Sequence, residues 1–393
     1  MTGLFLKVIN MSISASWLIL AVLILRLGLK KAPKWINVLL WGIVAVRLLF
    51  PFSVESALSL IPSAETVSPE IMMDAAPAIH TGIPAINSAV NPVISQAFAP
   101  SPAASANPLQ IWIPVLAAIW VIGVVDLLAY TGAAYWRLQR RVGTAVLFRD
   151  NIFQSENVSS PFVLGILKPR IYLPFRMDEQ DIQHVVAHEL AHIRRRDHWW
   201  KHLGFLLLTL YWFNPLMWLA YVLLCRDIEL ACDESVIREL DNAQRADYAQ
   251  ALLTCSVNRR VIAACPLAFG EIGVKERVKT VMKYKKPAFW IVVLAVIACG
   301  TVAVCFLTNP AAQRDDIEMI PTVANLQGTF DTYLYVPLED GTYRYEQWTS
   351  DTSSVKIGEL LYSFTKKAEP LDVEWKVYAV KEYPDHRIVY AAA

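Results

Sequence analysis

The chain has 393 residues, 55 % of them hydrophobic, a mean hydropathy of +0.38 and a formal net charge of +1. The first figures exclude an ordinary soluble domain, and the last argues against nucleic acid as a direct partner. Six cysteines (Cys225, Cys232, Cys255, Cys265, Cys299 and Cys305) form no CxxC pair, which argues against a disulfide framework or a thiolate zinc site.

In chain order, four segments read as membrane spans, a crossing needing about 20 apolar residues. Phe5 to Leu27 is long and lacks a small-residue cleavage site, so it reads as a retained span rather than a signal peptide. Ile36 to Phe50, Ile111 to Tyr135 and Ala288 to Thr308 follow. Basic residues flank their ends unevenly: Arg26, Lys30, Lys31 and Lys34 after the first, Arg137, Arg140 and Arg141 after the third, Lys275 to Lys286 before the last, and none over 51–108. Loops rich in Lys and Arg stay in the cytoplasm. This predicts residues 28–35 and 136–287 inside, and 51–110 and 309–393 outside. The outer loop 51–110, with its "AFAPSPAASANP", reads as a tether or lid without a core of its own.

Residues 151–174, "NIFQSENVSSPFVLGILKPRIYLP", alternate short β-prone runs with Pro and Gly and predict a small sheet. Its edge strand could hold a substrate backbone by strand addition. A helix is expected next, opened by Asp178, Glu179 and Asp181 and carrying His188-Glu189-Leu190-Ala191-His192, an HExxH match. Residues four apart share a helical face, so both imidazoles can meet one zinc ion. Glu189 beside them can take a proton from water that zinc has made acidic. His184, one turn earlier, reads as a bystander. His198, Trp199, Trp200 and His202 read as an interfacial anchor, and Arg194, Arg195 and Arg196 as partners for headgroups or acids, one of them pairing with Asp197.

Leu203 to Cys225 is apolar enough to span, but Asn214-Pro215 sits at its midpoint and basic residues follow. A re-entrant hairpin with a protein-shielded turn fits better than a crossing. It returns the chain to the histidines' side just before "RDIELACDE", Arg226 to Glu234. There Glu229 can complete a His-His-Glu site, and Asp233, four residues on, can accept a hydrogen bond from a ligand histidine. Arg226 and Tyr248 are candidates for stabilising the oxyanion.

The stretches "SPFVLGILKPRIYLP", "HVVAHELAHIRRRDHW", "YWFNPLMWL" and "RDIELACDE", in that order and spacing, resemble the BlaR/MecR-type sensor-transducer zinc metallopeptidases of bacterial membranes, of the gluzincin kind. The resemblance covers about residues 110–290. It implies zinc on His188, His192 and Glu229, Glu189 as general base and Asp233 behind the ligands. It further implies a protease in the plasma membrane, its site facing the cytoplasm, that answers an external signal by cutting itself and so inactivates a transcriptional repressor, a winged-helix protein in this reading. Cleavage is expected within Cys265 to Lys279. Lipid, a peptide or protein substrate and that repressor are the partners implied, with a homodimer left open.

The chain departs from the family's antibiotic sensors after the last span. Ser363-Phe364-Thr365-Lys366 matches SxxK, but no SDN or KTG follows and residues 309–393 are too few for a penicillin-binding domain. A small α/β or all-β tail is expected, with a hairpin turn at Asp340-Gly341. The fold expected is therefore mainly α and polytopic: three membrane helices in 1–135, a gluzincin-like domain with a small sheet in 136–287 including the hairpin 203–225, a last span over 288–308, and the tail. Two alternatives keep part of this picture: a receptor or scaffold without catalysis, and a housekeeping membrane protease.

Overall fold

The structure is a computed structural model. It describes the chain except residues 51–53, 70, 73–76, 99–107, 176, 258–272, 311–332, 338–342, 348–356, 367–372, 381–388 and 393, with side chains to Pro310. Two compact units divide it, Met1–Ala311 and Ala312–Ala393.

The first unit is mainly helical. Helices α1 (Thr2–Gly28) and α2 (Lys34–Leu49) come first, then the two-residue strand β1 (Glu55–Ser56), α3 (Pro84–Phe98) and α4 (Pro108–Arg141). A sheet follows, made of β2 (Val146–Arg149), β3 (Ile152–Ser155), β4 (Phe162–Leu164) and β5 (Arg170–Pro174) in the order β2-β3-β5-β4. Helices α5 (Glu179–Arg194), α6 (Asp197–Leu210), α7 (Pro215–Ile237), α8 (Asn242–Val257), α9 (Val274–Met282) and α10 (Phe289–Leu307) complete it, with β6 (Asn309–Pro310) pairing parallel to β1.

Three helices, α1, α4 and α10, are long and apolar enough to cross a membrane. The expected second span is helix α2, but it has 16 residues, about 24 Å of rise against a hydrocarbon core of about 30 Å. Pro33 at its N-cap and Pro51 beyond its C-cap bound it. Residues 51–110, read as a tether or lid, pack on the helices where they are described. Ile61 and Ile71 are buried in the main helical core, and the Asn10 side chain both donates to the Val67 carbonyl and accepts from its N–H.

Helices α6 and α7 form a hairpin whose turn, Tyr211 to Asn214, has its polar groups satisfied by protein. Asn214 caps α7 by accepting from the Leu216 N–H at 2.9 Å and donates to the hydroxyls of Ser12 and Ser16 on α1. The Tyr211 hydroxyl donates to the Leu48 carbonyl of α2, and Trp120 of α4 donates to the Leu210 carbonyl. A side chain on Gly123 would meet the Trp212 ring at 2.4 Å, so this glycine admits the turn against α4. Lower on α7, Asp227 is fully buried and accepts from Arg26 Nε and Nη2 at 2.8 and 2.7 Å and from Trp41 Nε1 at 2.9 Å. Glu234 accepts from the Lys34 N–H, capping α2. These contacts fix the depth and rotation of α7 against α1 and α2.

Helix α5 is held by apolar packing: Ile152, Ile171 and Leu173 of the sheet close over Val185. Arg196 adopts the left-handed conformation (φ 58), a single-residue reversal that sends α6 off and brings Asp197 back towards α5. Helices α7, α8 and α9 meet around Ile237, Tyr248, Ala249 and Val281.

In the second unit the described residues form strands only. β7 (Tyr333–Pro337) pairs antiparallel with β8 (Tyr343–Gln347), and β9 (Ile357–Lys366), β10 (Val373–Val380) and β11 (Val389–Ala392) make an antiparallel sheet in the order β11-β10-β9. The expected turn at Asp340-Gly341 lies outside the described residues, between two strands that do pair. Ser363 to Lys366 run inside β9.

Candidate metal centre

Helix α5 buries His188, Glu189 and His192, and α7 brings Glu229 and Asp233 to the same place. The Nε2 atoms of the two histidines lie 3.1 Å apart. Glu229 Oε2 is 3.5 Å from one and Oε1 is 3.5 Å from the other. What each ring does with its Nδ1 determines what Nε2 offers. Tyr248 on α8 spends its hydroxyl proton on Asp233 Oδ1 at 2.7 Å, so its oxygen accepts the Nδ1–H of His188 at 2.8 Å. Asp197 Oδ2 accepts the Nδ1–H of His192 at 2.8 Å and the Arg195 Nε–H at 3.1 Å. Both rings therefore turn an Nε2 lone pair to one point. Two such lone pairs at this separation repel unless a cation lies between them. Tetrahedral ligands about 2.0–2.1 Å from one ion stand about 3.4 Å from each other, so this N, N, O donor set has the spacing that a single ion needs.

Two basic side chains complete the electrostatics. Lys201 of α6 donates to Glu229 Oε1 at 2.9 Å. Arg277 of α9 forks onto Asp233 through Nε and Nη2, both at 2.7 Å, and places Nη1 3.3 Å from Glu229 Oε2 and Nη2 3.2 Å from His188 Nε2. Burial works against ionising Glu229, but Lys201, His192 and Arg277 outweigh it and hold the carboxyl well below the usual range. Asp233 is lowered in the same way, burial being overcome chiefly by Arg277. Cys232 adds a soft donor nearby: its thiol and one nitrogen from each histidine lie within 4.8 Å of one another. Its sulfur, however, sits 3.6 Å from His188 Nδ1, the nitrogen that Tyr248 already occupies. The carboxylate of Glu229 lies on the Nε2 side.

His188, His192, Glu229 and Asp233 thus meet here, while Glu189, next to His188 on α5, is buried and has no hydrogen-bond or ion-pair partner among the described residues. His184 stands apart from the donor atoms, its ring edge-on to Tyr248 at 6.2 Å. His202 donates to the His198 carbonyl, and Trp199 and Trp200 are exposed. Arg226 pairs with Glu276. Reading the sequence missed Lys201, Arg277 and Cys232 and placed Asp197 only as an arginine partner. Asp197 and Lys201 stand four apart at the start of a helix, a usable signal. Arg277, 44 residues beyond Asp233, had none. Of the window expected to be cut, residues up to 272 lie outside the described residues, and Val274 onward is helix α9.

The chain is 30 % identical over 142 residues to the methicillin resistance mecR1 proteins of Staphylococcus aureus (strain Mu50) and Staphylococcus epidermidis, a match covering 34 % of this chain and 24 % of theirs. It is 27 % identical over 235 residues to the regulatory protein BlaR1 of Bacillus licheniformis, covering 50 % of this chain and 39 % of that one. The chain thus spans well under half the length of these relatives. The family model described as BlaR1 peptidase M56 matches residues 6–281, from α1 through α9 and every side chain that surrounds the two histidines. The chain belongs to the BlaR1 peptidase M56 family.

Proposed function

We propose that the chain is a zinc endopeptidase of the bacterial plasma membrane that transduces an external signal, by cutting itself and thereby inactivating a repressor. The observation that supports it most is the convergence of two Nε2 lone pairs 3.1 Å apart on the carboxylate of Glu229, each ring held by a partner at its other nitrogen. His188, His192 and Glu229 would hold the zinc, which when bound supplies an acidified water and a positive centre. Glu189, buried in the same helix turn and without a hydrogen-bond or ion-pair partner among the described residues, would accept a proton from water held there. Asp233 lies 3.3 Å from His188 Nδ1 and also acts on it through Tyr248, and Asp197 accepts directly from His192. Strand β4, an edge of the small sheet that contacts α5, is the candidate for aligning an extended substrate. Self-cleavage falls within Cys265 to Lys279 in this reading. Residues 136–287 lie at the cytoplasmic face and 309–393 outside in this reading, the α6–α7 hairpin returning to the side it left.

The test is zinc content and proteolysis of labelled casein by the purified protein in detergent, wild type beside Glu189→Gln. Wild type should hold about one zinc and cut, and Glu189→Gln should hold zinc and not cut. A wild-type protein that binds no zinc and cuts nothing points to a receptor without catalysis.

A further inference from the structure

Peptide hydrolysis needs a donor for the oxygen that becomes negative in the tetrahedral intermediate. The two candidates read from the sequence are both committed elsewhere. The single hydroxyl proton of Tyr248 goes to Asp233, and its oxygen faces His188 Nδ1, the nitrogen turned away from the donor cluster. Arg226 is paired with Glu276. Arg277 lies in the cluster, but Asp233, His188 and Glu229 engage its guanidinium, and its side chain is only 9 % exposed. Lys201 differs in each respect. Its Nζ carries three protons, and among the described residues only Glu229 Oε1 takes one, at 2.9 Å. Its side chain is 22 % exposed, against 8 %, 10 % and 11 % for His188, His192 and Glu229, so it forms the solvent-facing rim of the cluster. One turn earlier on α6, Asp197 is hydrogen-bonded to His192, so the helix that orients one ring also sets the ammonium.

We propose that Lys201 is a catalytic residue: its ammonium receives the carbonyl oxygen of the scissile peptide and stabilises it as the oxyanion. The proposal rests on the protease reading above. The water oxygen bonds to the carbonyl carbon while its proton passes to Glu189. The carbonyl π pair moves onto the oxygen, to which Lys201 donates a hydrogen bond without losing its proton. On collapse that pair re-forms the C=O bond, the C–N bond breaks, and the proton on Glu189 goes to the departing amine.

The test uses the full chain in detergent with labelled casein as substrate and a phosphoramidate dipeptide as mimic of the tetrahedral state. Lys201→Met should lower kcat about 100- to 1,000-fold, with KM within about threefold, zinc content unchanged and phosphoramidate affinity reduced by at least about 30-fold. Lys201→Arg, which keeps a cation on Glu229, should restore at least about tenfold of the lost kcat. Lys201→Met that loses its zinc, or raises KM at unchanged kcat, would make the lysine a mere prop for Glu229 and overturn the proposal. So would full activity and undiminished phosphoramidate binding. Should Lys201→Met fail to fold, Lys201→Gln, which keeps a hydrogen-bond donor but removes the charge, decides instead: kcat and phosphoramidate affinity both equal to wild type would refute the role. Inert, zinc-free wild type sinks the protease reading itself, whereas an active wild type with an unaffected Lys201→Met sinks this proposal only.

Discussion

Asp197→Ala isolates the support of one histidine. Asp197 is 1 % exposed and, among the described residues, accepts only from His192 Nδ1 at 2.8 Å and Arg195 Nε at 3.1 Å. Without it, His192 is no longer confined to the tautomer whose Nε2 is free, and part of the population carries its proton on the nitrogen that should bind the ion. Losing such a partner costs about 10- to 100-fold in metal affinity, or about 1.4–2.8 kcal/mol. Arg195 is 23 % exposed and regains water when its partner goes, so it adds little to this figure. The assay is zinc competition against a chromophoric chelator at pH 7.5, with thermal unfolding as a control for the fold. Asp197→Asn keeps an oxygen facing Nδ1 and should stay within about fivefold of wild type. Zinc affinity unchanged in Asp197→Ala, or equally weakened in Asp197→Asn, would refute the reasoning.

Two further outcomes follow from the same side chains. Asp227→Ala strands Arg26 and the Trp41 N–H inside the packed helices and should cost about 3 kcal/mol, read as a fall in Tm in detergent; an unchanged Tm would show the cluster to be neutral. In protein stripped of metal, His188 is pushed up to about 9, burial opposing the charge but Cys232 and Glu229 outweighing it. Its folded value lies above the ordinary 6.5, so the stability it contributes is complete below that pH and is lost as pH rises through about 9. Chelated protein should therefore lose Tm between pH 6.5 and 9.5, and zinc-loaded protein should lose less, its imidazole being neutral already. A flat or rising Tm for the chelated form would contradict the assignment.

The residues that converge in the structure were legible where they obey helical spacing: His188 with His192, and Glu229 with Asp233, each pair four apart. The hairpin was legible because Asn-Pro interrupts an apolar run, Asn214 capping and Pro215 opening the second helix. What periodicity does not encode is contact between distant segments. Asp227 and Glu234 look like part of the same acidic cluster as Glu229, yet they point their charge at α1 and α2 and serve as anchors. Tyr248 and Arg277 reach His188 across 60 and 89 residues. The composition of 51–110 did not show where it docks: Asn10 donates to and accepts from the Val67 backbone, and Ile61 and Ile71 are buried in the helical core.

The supports of the two histidines differ in reach. His192 is oriented by a residue five positions away, across the Arg196 corner, whereas His188 depends on Tyr248 60 positions away and, through Asp233, on Arg277 a further 44 beyond that aspartate. Closing a long loop costs more entropy than turning a corner, and it waits on α7, α8 and α9 being in place. During synthesis His192 is thus oriented as soon as α5 and α6 exist, while His188 still rotates freely. The surroundings of His188 are completed only after residue 277 has been made and docked, so the two rings gain their supports at different stages of synthesis.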